Sequence, residues 1–213
     1  MKLPKNNIIK NFLIHSFTVV ILVFGVTEAK AQDRLIFKIG YHPSFPLGSF
    51  KDYMGNNSFR GYVGEFLYPI NEQWKVGLGV SFNDYYEKHA RQLYEMEEGT
   101  VSAVVTNSIQ TTPIMLKASY ELTKTGWIRP YAGVGGGFNL ISYSRYFGEF
   151  GDKKTSFKPA ASAEAGINIP FNRETRAAGI SVGGHFNYMP FKFDGLKNLN
   201  NWGLQAAVYF PLR

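Results

Sequence analysis

Alternate positions along most of the chain fall into one apolar row and one small or polar row, the period-two pattern of β-strands. The first segment sets Leu35, Phe37, Ile39 and Tyr41 against Ile36, Lys38 and Gly40. The second sets Tyr62, Phe66, Tyr68 and Ile70 against Val63, Glu65 and Leu67, and the third sets Trp74, Val76, Leu78, Val80 and Phe82 against Lys75, Gly77, Gly79, Ser81 and Asn83. The fourth sets Ile114, Leu116, Ala118, Tyr120 and Leu122 against Met115, Lys117, Ser119 and Glu121. In the fifth, Ile128, Ala132, Val134, Phe138 and Leu140 oppose Arg129, Tyr131, a run of glycines and Asn139. The sixth places Ala161, Ala163, Ala165, Ile167 and Ile169 against Lys158, Ser162, Glu164, Gly166 and Asn168. The seventh and eighth carry Ile180, Val182, Phe186 and Tyr188, then Trp202, Leu204, Ala206, Val208 and Phe210, against Ser181, Gly183, His185, Asn187, Gly203 and Gln205. Each segment is about as long as the ~9–11 residues of a tilted membrane-crossing strand.

The connections alternate in length. Asn71-Glu72-Gln73, Thr123-Lys124-Thr125-Gly126 and Asn172-Arg173-Glu174-Thr175-Arg176 are short, whereas residues 42–61, 84–108, 145–156 and 191–200 are long. Short turns on one rim and long loops on the other predict an all-β, eight-stranded antiparallel up-and-down transmembrane β-barrel, with the short rim and both termini periplasmic and the long loops extracellular. No domain boundary or repeat beyond the hairpin interrupts the pattern.

Period two alone does not say which row meets water. A soluble barrel puts its apolar row inside, and a membrane barrel puts it outside. The polar row here is mostly Gly, Ser, Ala and Asn, with about one charge per segment. That row is too poor in long charged side chains for a water-facing surface, and its small residues suit a crowded lumen. The apolar row also places aromatics at its two ends: Tyr68, Trp74, Tyr120 and Phe210 near the short turns, Phe82 and Trp202 near the long loops. Between them lie mainly Val, Leu, Ile and Ala, as in the girdles of a bilayer-spanning barrel. The apolar row is therefore expected outside. Trp127 lies near the short-turn rim but out of phase with its row.

The first residues modify the charge. Lys2, Lys5 and Lys10 precede an apolar run from Phe12 to about Val26, and Ala29-Lys30-Ala31 follows. That order predicts a cleavable secretory signal over 1–31 and a barrel domain over 32–213. Removing the signal takes 23 basic and 16 acidic residues to 19 and 15, so the exported chain is only +4. The remaining basic residues are scattered, and no nucleic-acid partner is expected. There is no cysteine, which excludes disulfides, thiolate metal sites, a cysteine nucleophile and a lipid-bearing cysteine.

Together with the signal and the eight segments, the run Trp127-Ile128-Arg129-Pro130-Tyr131-Ala132-Gly133-Val134-Gly135-Gly136-Gly137-Phe138 resembles the superfamily of small outer-membrane β-barrel domains. The Ala-Lys-Ala-Gln end of the signal is similar to signals of Bacteroidetes. The resemblance implies a Gram-negative outer-membrane location, contact with outer-membrane lipid and lipopolysaccharide, and insertion by the barrel assembly machinery. Such barrels often end in an aromatic residue. This chain ends Phe210-Pro211-Leu212-Arg213, which displaces Phe210 from that position.

The inward row carries the ionisable groups Lys38, Glu65, Lys75, Lys117, Glu121, Arg129, Lys158, Glu164 and His185. Charges in a narrow lumen must pair or pay several kcal/mol of desolvation each, so a charge network filling the barrel is expected rather than a pore. Catalysis would need a histidine with a nucleophile or carboxylate in reach. His42-Pro43-Ser44 has a spacing like that of lipid A deacylases but sits at the first strand's exit, and His89 lies in a predicted loop. No metal-ligand spacing and no phosphate loop leading into a helix is present, so no cofactor and no catalytic residue is assigned. The expected function is non-enzymatic: envelope integrity, adhesion or binding of an extracellular protein or lipopolysaccharide by the long loops. The alternatives are a channel through the barrel for a small solute or an apolar molecule, and a lipid A-modifying enzyme. The loop 84–108 counts five acidic and two basic residues, and the loop 42–61 carries Phe45, Phe50, Tyr53, Met54 and Phe59.

Overall fold

A computed structural model of the chain describes residues 35–212 apart from 97–98, 125, 148–149, 173–177 and 194; the predicted signal and much of the turn 172–176 lie outside the described residues. The described elements are β1 (Ile36–Tyr41), β2 (Ser44–Pro46), helix α1 (Ser49–Tyr53), β3 (Arg60–Pro69), β4 (Trp74–Met96), β5 (Gly99–Glu121), β6 (Arg129–Phe147), β7 (Phe150–Pro170), β8 (Gly179–Tyr188), β9 (Pro190–Phe193), β10 (Leu196–Asn198) and β11 (Asn201–Pro211). Neighbours pair antiparallel in the order β1, β3, β4, β5, β6, β7, β8, β11, and β11 returns to β1, with Ile36 opposite Pro211 and Tyr41 opposite Ala206. β2 continues β1 against the start of β11, with Ser44 opposite Gly203. Pro43, which has no N–H to give a ladder, marks the break between them. Counting β1 and β2 as one interrupted strand, eight strands close a ring, and closure removes every edge within it.

The predicted loops 84–108 and 145–156 are corrected: most of their residues are strand. The β4–β5 ladder runs from Trp74 opposite Tyr120 to Met96 opposite Gly99, with one register shift between His89 and Gln92, and the β6–β7 ladder runs on to Phe147 opposite Phe150. Above the apolar band neither face of these strands meets lipid, so the alternation that marks a half-apolar strand fades. β-Formers such as Tyr85, Tyr86, Val101, Val104 and Val105 continue instead. β3 pairs with β4 only up to Asp84, and β8 with β7 only up to Ala161. The upper parts of β4–β7 therefore stand above the ring as a four-stranded sheet. Residues 191–200, also predicted as a loop, hold the small β9–β10 hairpin.

The apolar row is on the outside of the ring. Leu116 (71%) and Val134 (63%) are among its most exposed members, while Glu65, Asn83, Asn139 and Ser181 have no accessible surface. This is a soluble protein's pattern turned inside out. The inward glycines answer to close approach between strands. A Cβ at Gly137 would run into the backbone carbonyl of Ile114 and lie 2.9 Å from Cα of Met115, whereas one at adjacent Gly136 would meet nothing within 4 Å. Gly137→Ala should therefore cost about 1–3 kcal/mol of overpacking, and Gly136→Ala close to nothing, in urea-driven unfolding of the reconstituted protein.

Candidate functional site

The lumen is filled in layers. At the short-turn end Ile36, Leu67 and Tyr209 form a small buried apolar cluster. Next come two groups of charges, each built across strands by the inward period-two positions. Glu65 on β3 accepts from Lys38 on β1 at 3.0 Å and from Lys117 on β5. The Lys117 ammonium also donates to Glu164 on β7 at 2.6 Å. Two lysines and two carboxylates thus close one chain of ion pairs from β1 to β7. In the second group Lys75 on β4 pairs with Glu121 on β5, which also accepts from the Asn168 amide at 2.9 Å and has Arg129 on β6 at 3.9 Å. Lys38 and Lys75 lie over the rings of Tyr131 and Tyr209 at 5.4 and 5.9 Å, which adds a cation–π contribution. Pairing of this quality offsets the several kcal/mol that each buried ion loses on leaving water.

His185 and Lys158 differ from the other inward ionisable residues. His185 is buried but joins no ion pair among the described residues; it stacks on His42 with ring centroids 3.6 Å apart and planes 11° from parallel. Lone pairs of imidazole lie in the ring plane, so two parallel stacked rings do not converge on one metal ion. No group of three or more metal-binding side chains occurs among the described residues. Lys158 keeps the inward parity, opposite Asn139, but its side chain is exposed, and among the described residues no ion pair reaches it. Its assignment to the lumen network is corrected: it lies past Ala161, the last residue of β7 paired with β8. The side chain of His89 lies outside the described residues.

Above the charges sits a layer of buried polar groups, of which the sequence placed Asn139 and Asn187 in the inward row without a role. Asn187 donates to Asn201 Oδ1 at 2.9 Å, Ser44 donates to the same oxygen at 2.8 Å, and Asn139 donates to Met189 Sδ at 3.1 Å. The top layer is apolar. Phe50 and Met54 from α1 and its exit, and Phe191, Leu196 and Leu199 from the β9–β10 region, pack on the wall residues Tyr85, Ile109, Ile141 and Tyr143. The two caps are tied together where Leu47 N–H donates to the Asn200 carbonyl at 3.0 Å. Burying each large apolar side chain is worth about 1.5–3 kcal/mol, which holds the caps in place. Part of their signal was in the sequence, in Phe50, Tyr53 and Met54 within 42–61. Two lumen cavities measure about 20 Å³ each, one beside His42, Glu65, Lys117 and His185, the other beside Lys38, Lys75, Tyr131 and Tyr209. Each has room for about one water.

The girdle candidates lie on the outer face. Tyr68, Trp74, Tyr120 and Phe210 lie toward the short-turn rim, with Trp74 and Tyr120 in ring contact at 5.0 Å. Trp202 stands near the long-loop rim against Phe45 at 4.8 Å, and Phe82 is half-buried opposite Tyr62. Trp127, out of phase in the sequence, is exposed just before β6.

Residues 16–210 match the family described as outer membrane protein beta-barrel domain. The chain belongs to that family. Outer-membrane barrels of this family sit in outer-membrane lipid and are assembled by the barrel assembly machinery, so the exposed apolar band is the surface that faces the bilayer. Among solved structures, Neisserial surface protein A is similar to this chain with a TM-score of 0.57 at 13% identity, covering 87% of this chain and 100% of that one. OprG of Pseudomonas aeruginosa has a TM-score of 0.48 at 12% identity over 85% of this chain and 96% of its own. Ail of Yersinia pestis has a TM-score of 0.43 at 16% identity over 84% and 99%. The likeness to the Neisserial barrel is one of fold. No curated protein matches the chain.

Proposed function

We propose that this protein is a sealed, non-enzymatic outer-membrane barrel, exported by a cleaved signal, that works through the part standing outside the cell. On this reading the long-loop rim is extracellular and both termini are periplasmic. The function is envelope integrity, adhesion or surface binding by the raised β4–β7 sheet and the caps. The observation that carries it is the filling of the lumen. Apolar, charged, amide and apolar layers follow one another with cavities of only about 20 Å³ between them. The wall charges act as a permanent seal because every carboxylate in them already holds at least one cation.

The alternative of a solute channel is tested by planar-bilayer recording. Purified protein should give no steady conductance, and reproducible open steps would refute the sealed lumen. A lipid-modifying enzyme is disfavoured by the placement of His42-Pro43-Ser44. Ser44 gives its hydroxyl to Asn201 and His42 stacks on His185, so the two side chains form no nucleophile–base pair. Lipid A from cells overexpressing the protein should be unchanged by mass spectrometry.

A further inference from the structure

One depression lies on the outer wall, away from the lumen. It measures about 430 Å³, a size in the range of small-molecule sites, and lies between the segment after α1 and the middle of β4, lined among others by Asn56, Asn57, Phe59, Arg60, Asp84 and Tyr86. Its frame is fixed by hydrogen bonds. Gly55 N–H donates to Glu87 Oε2 at 2.9 Å, Asn56 Nδ2 donates to the Tyr86 carbonyl at 3.3 Å, Ser58 Oγ donates to the Asp84 carbonyl at 2.8 Å, and Tyr41 donates to the Phe59 carbonyl at 2.7 Å. A segment tied down at four points presents its side chains in set positions. Phe59 is 62% and Tyr86 45% exposed, and the Phe59 ring meets Phe45, next to Trp202 of the upper girdle, at 6.1 Å. Between them Arg60 holds Asp84 at 3.4 Å, with the guanidinium side chain 71% exposed.

These groups suit a sugar. A pyranose offers an apolar C–H face to an aromatic ring and a rim of hydroxyls to amides and to a guanidinium–carboxylate pair. The height of the depression says where that sugar comes from. From Trp74, in the lower girdle, to Asp84, β4 climbs roughly 24 Å at ~3.3 Å per residue and a 40–45° tilt, close to the ~25 Å apolar band of such barrels. The depression thus begins at headgroup depth, directly above lipid-facing Tyr62 and Phe82. It is also open and shallow, so it holds a free sugar only weakly, and becomes effective when the ligand is confined to the adjoining leaflet at high local concentration. We propose that this depression binds the sugar headgroup of a glycolipid in the outer leaflet. The proposal rests on the extracellular placement of the long-loop rim given above.

The test uses the full-length exported protein in nanodiscs of phosphatidylethanolamine and phosphatidylglycerol, with or without rough lipopolysaccharide. Native mass spectrometry should find glycolipid retained by the wild type, at least tenfold less retained by the Phe59→Ala/Tyr86→Ala double variant, and retention unchanged in Phe157→Ala, which removes an exposed ring from another wall. Free core oligosaccharide up to millimolar concentration should not bind. Equal retention by the double variant and the wild type would overturn the site, and saturable binding of the free sugar would overturn the lipid source. Because the chain has no cysteine, Asn56→Cys reports orientation separately. Labelling by an impermeant maleimide on intact cells is expected. Labelled cells without headgroup retention sink only this site, whereas unlabelled cells sink the orientation beneath it.

Discussion

Replacing Glu65 by Gln should destabilise the barrel by about 3–5 kcal/mol, the cost of removing one partner from a buried ion pair. Glu65 is the shared acceptor of Lys38 and Lys117, and its side chain is 1% exposed. With Glu164 the group is two cations and two anions, so neutralising Glu65 leaves one ammonium inside the wall without a counter-charge. Urea-driven unfolding in lipid vesicles, followed by tryptophan fluorescence, measures the loss. The second half of the expectation separates charge from packing. Glu65→Gln combined with Lys38→Met restores neutrality, leaving the Lys117–Glu164 pair at 2.6 Å, and should recover most of the stability. If the double variant is no better than Glu65→Gln, the charges are not what closes this layer.

Leu78→Arg should cost about 2–4 kcal/mol, the depth-dependent penalty of a cation on the lipid face at the bilayer midplane. Leu78 lies between Phe66 and Leu116 on the ladder, midway between Trp74 and Asp84, and is 42% exposed. In a water-soluble barrel an arginine at a position this exposed would cost almost nothing. The same substitution at Tyr86, above the band, should fall within about 1 kcal/mol, since the penalty fades toward the interface. A flat response along β4 would mean that the exposed row does not face lipid.

The ring and its handedness of faces were legible in the sequence because both are local. A strand between lipid and a packed lumen must alternate, and Trp74 through Asn83 does so without a fault. What stayed hidden depends on contacts between distant segments. Residues 85–96 alternate poorly because neither face meets lipid there, so a strand looked like a loop. The charge groups could be collected from the inward row but not partitioned. That Lys117 bridges Glu65 and Glu164, while Lys75 and Arg129 share Glu121, is set by inter-strand register. Lys158 has the right parity yet is exposed, and it lies past the last β7–β8 pair, Ala161 opposite Tyr188, which the sequence alone does not locate. The apolar cap was present only as an excess of large side chains in 42–61, with nothing local to say that Phe50 meets Tyr85 at 4.7 Å.

A barrel with lipid on its apolar face and a filled interior is tested in both parts by a spin label walked along β4. In a chain without cysteine, single substitutions from Trp74→Cys to Tyr86→Cys can each carry a nitroxide in lipid vesicles, leaving out Gly77 and Gly79, where an added Cβ would run into Phe66 and Lys117. Even-numbered positions through Phe82 should be accessible to oxygen and shielded from a water-soluble nickel chelate, odd-numbered positions should be shielded from both, and the chelate should first reach the label at Asp84 or Tyr86. Chelate access at Leu78, or at the inward position Ser81, would contradict the account.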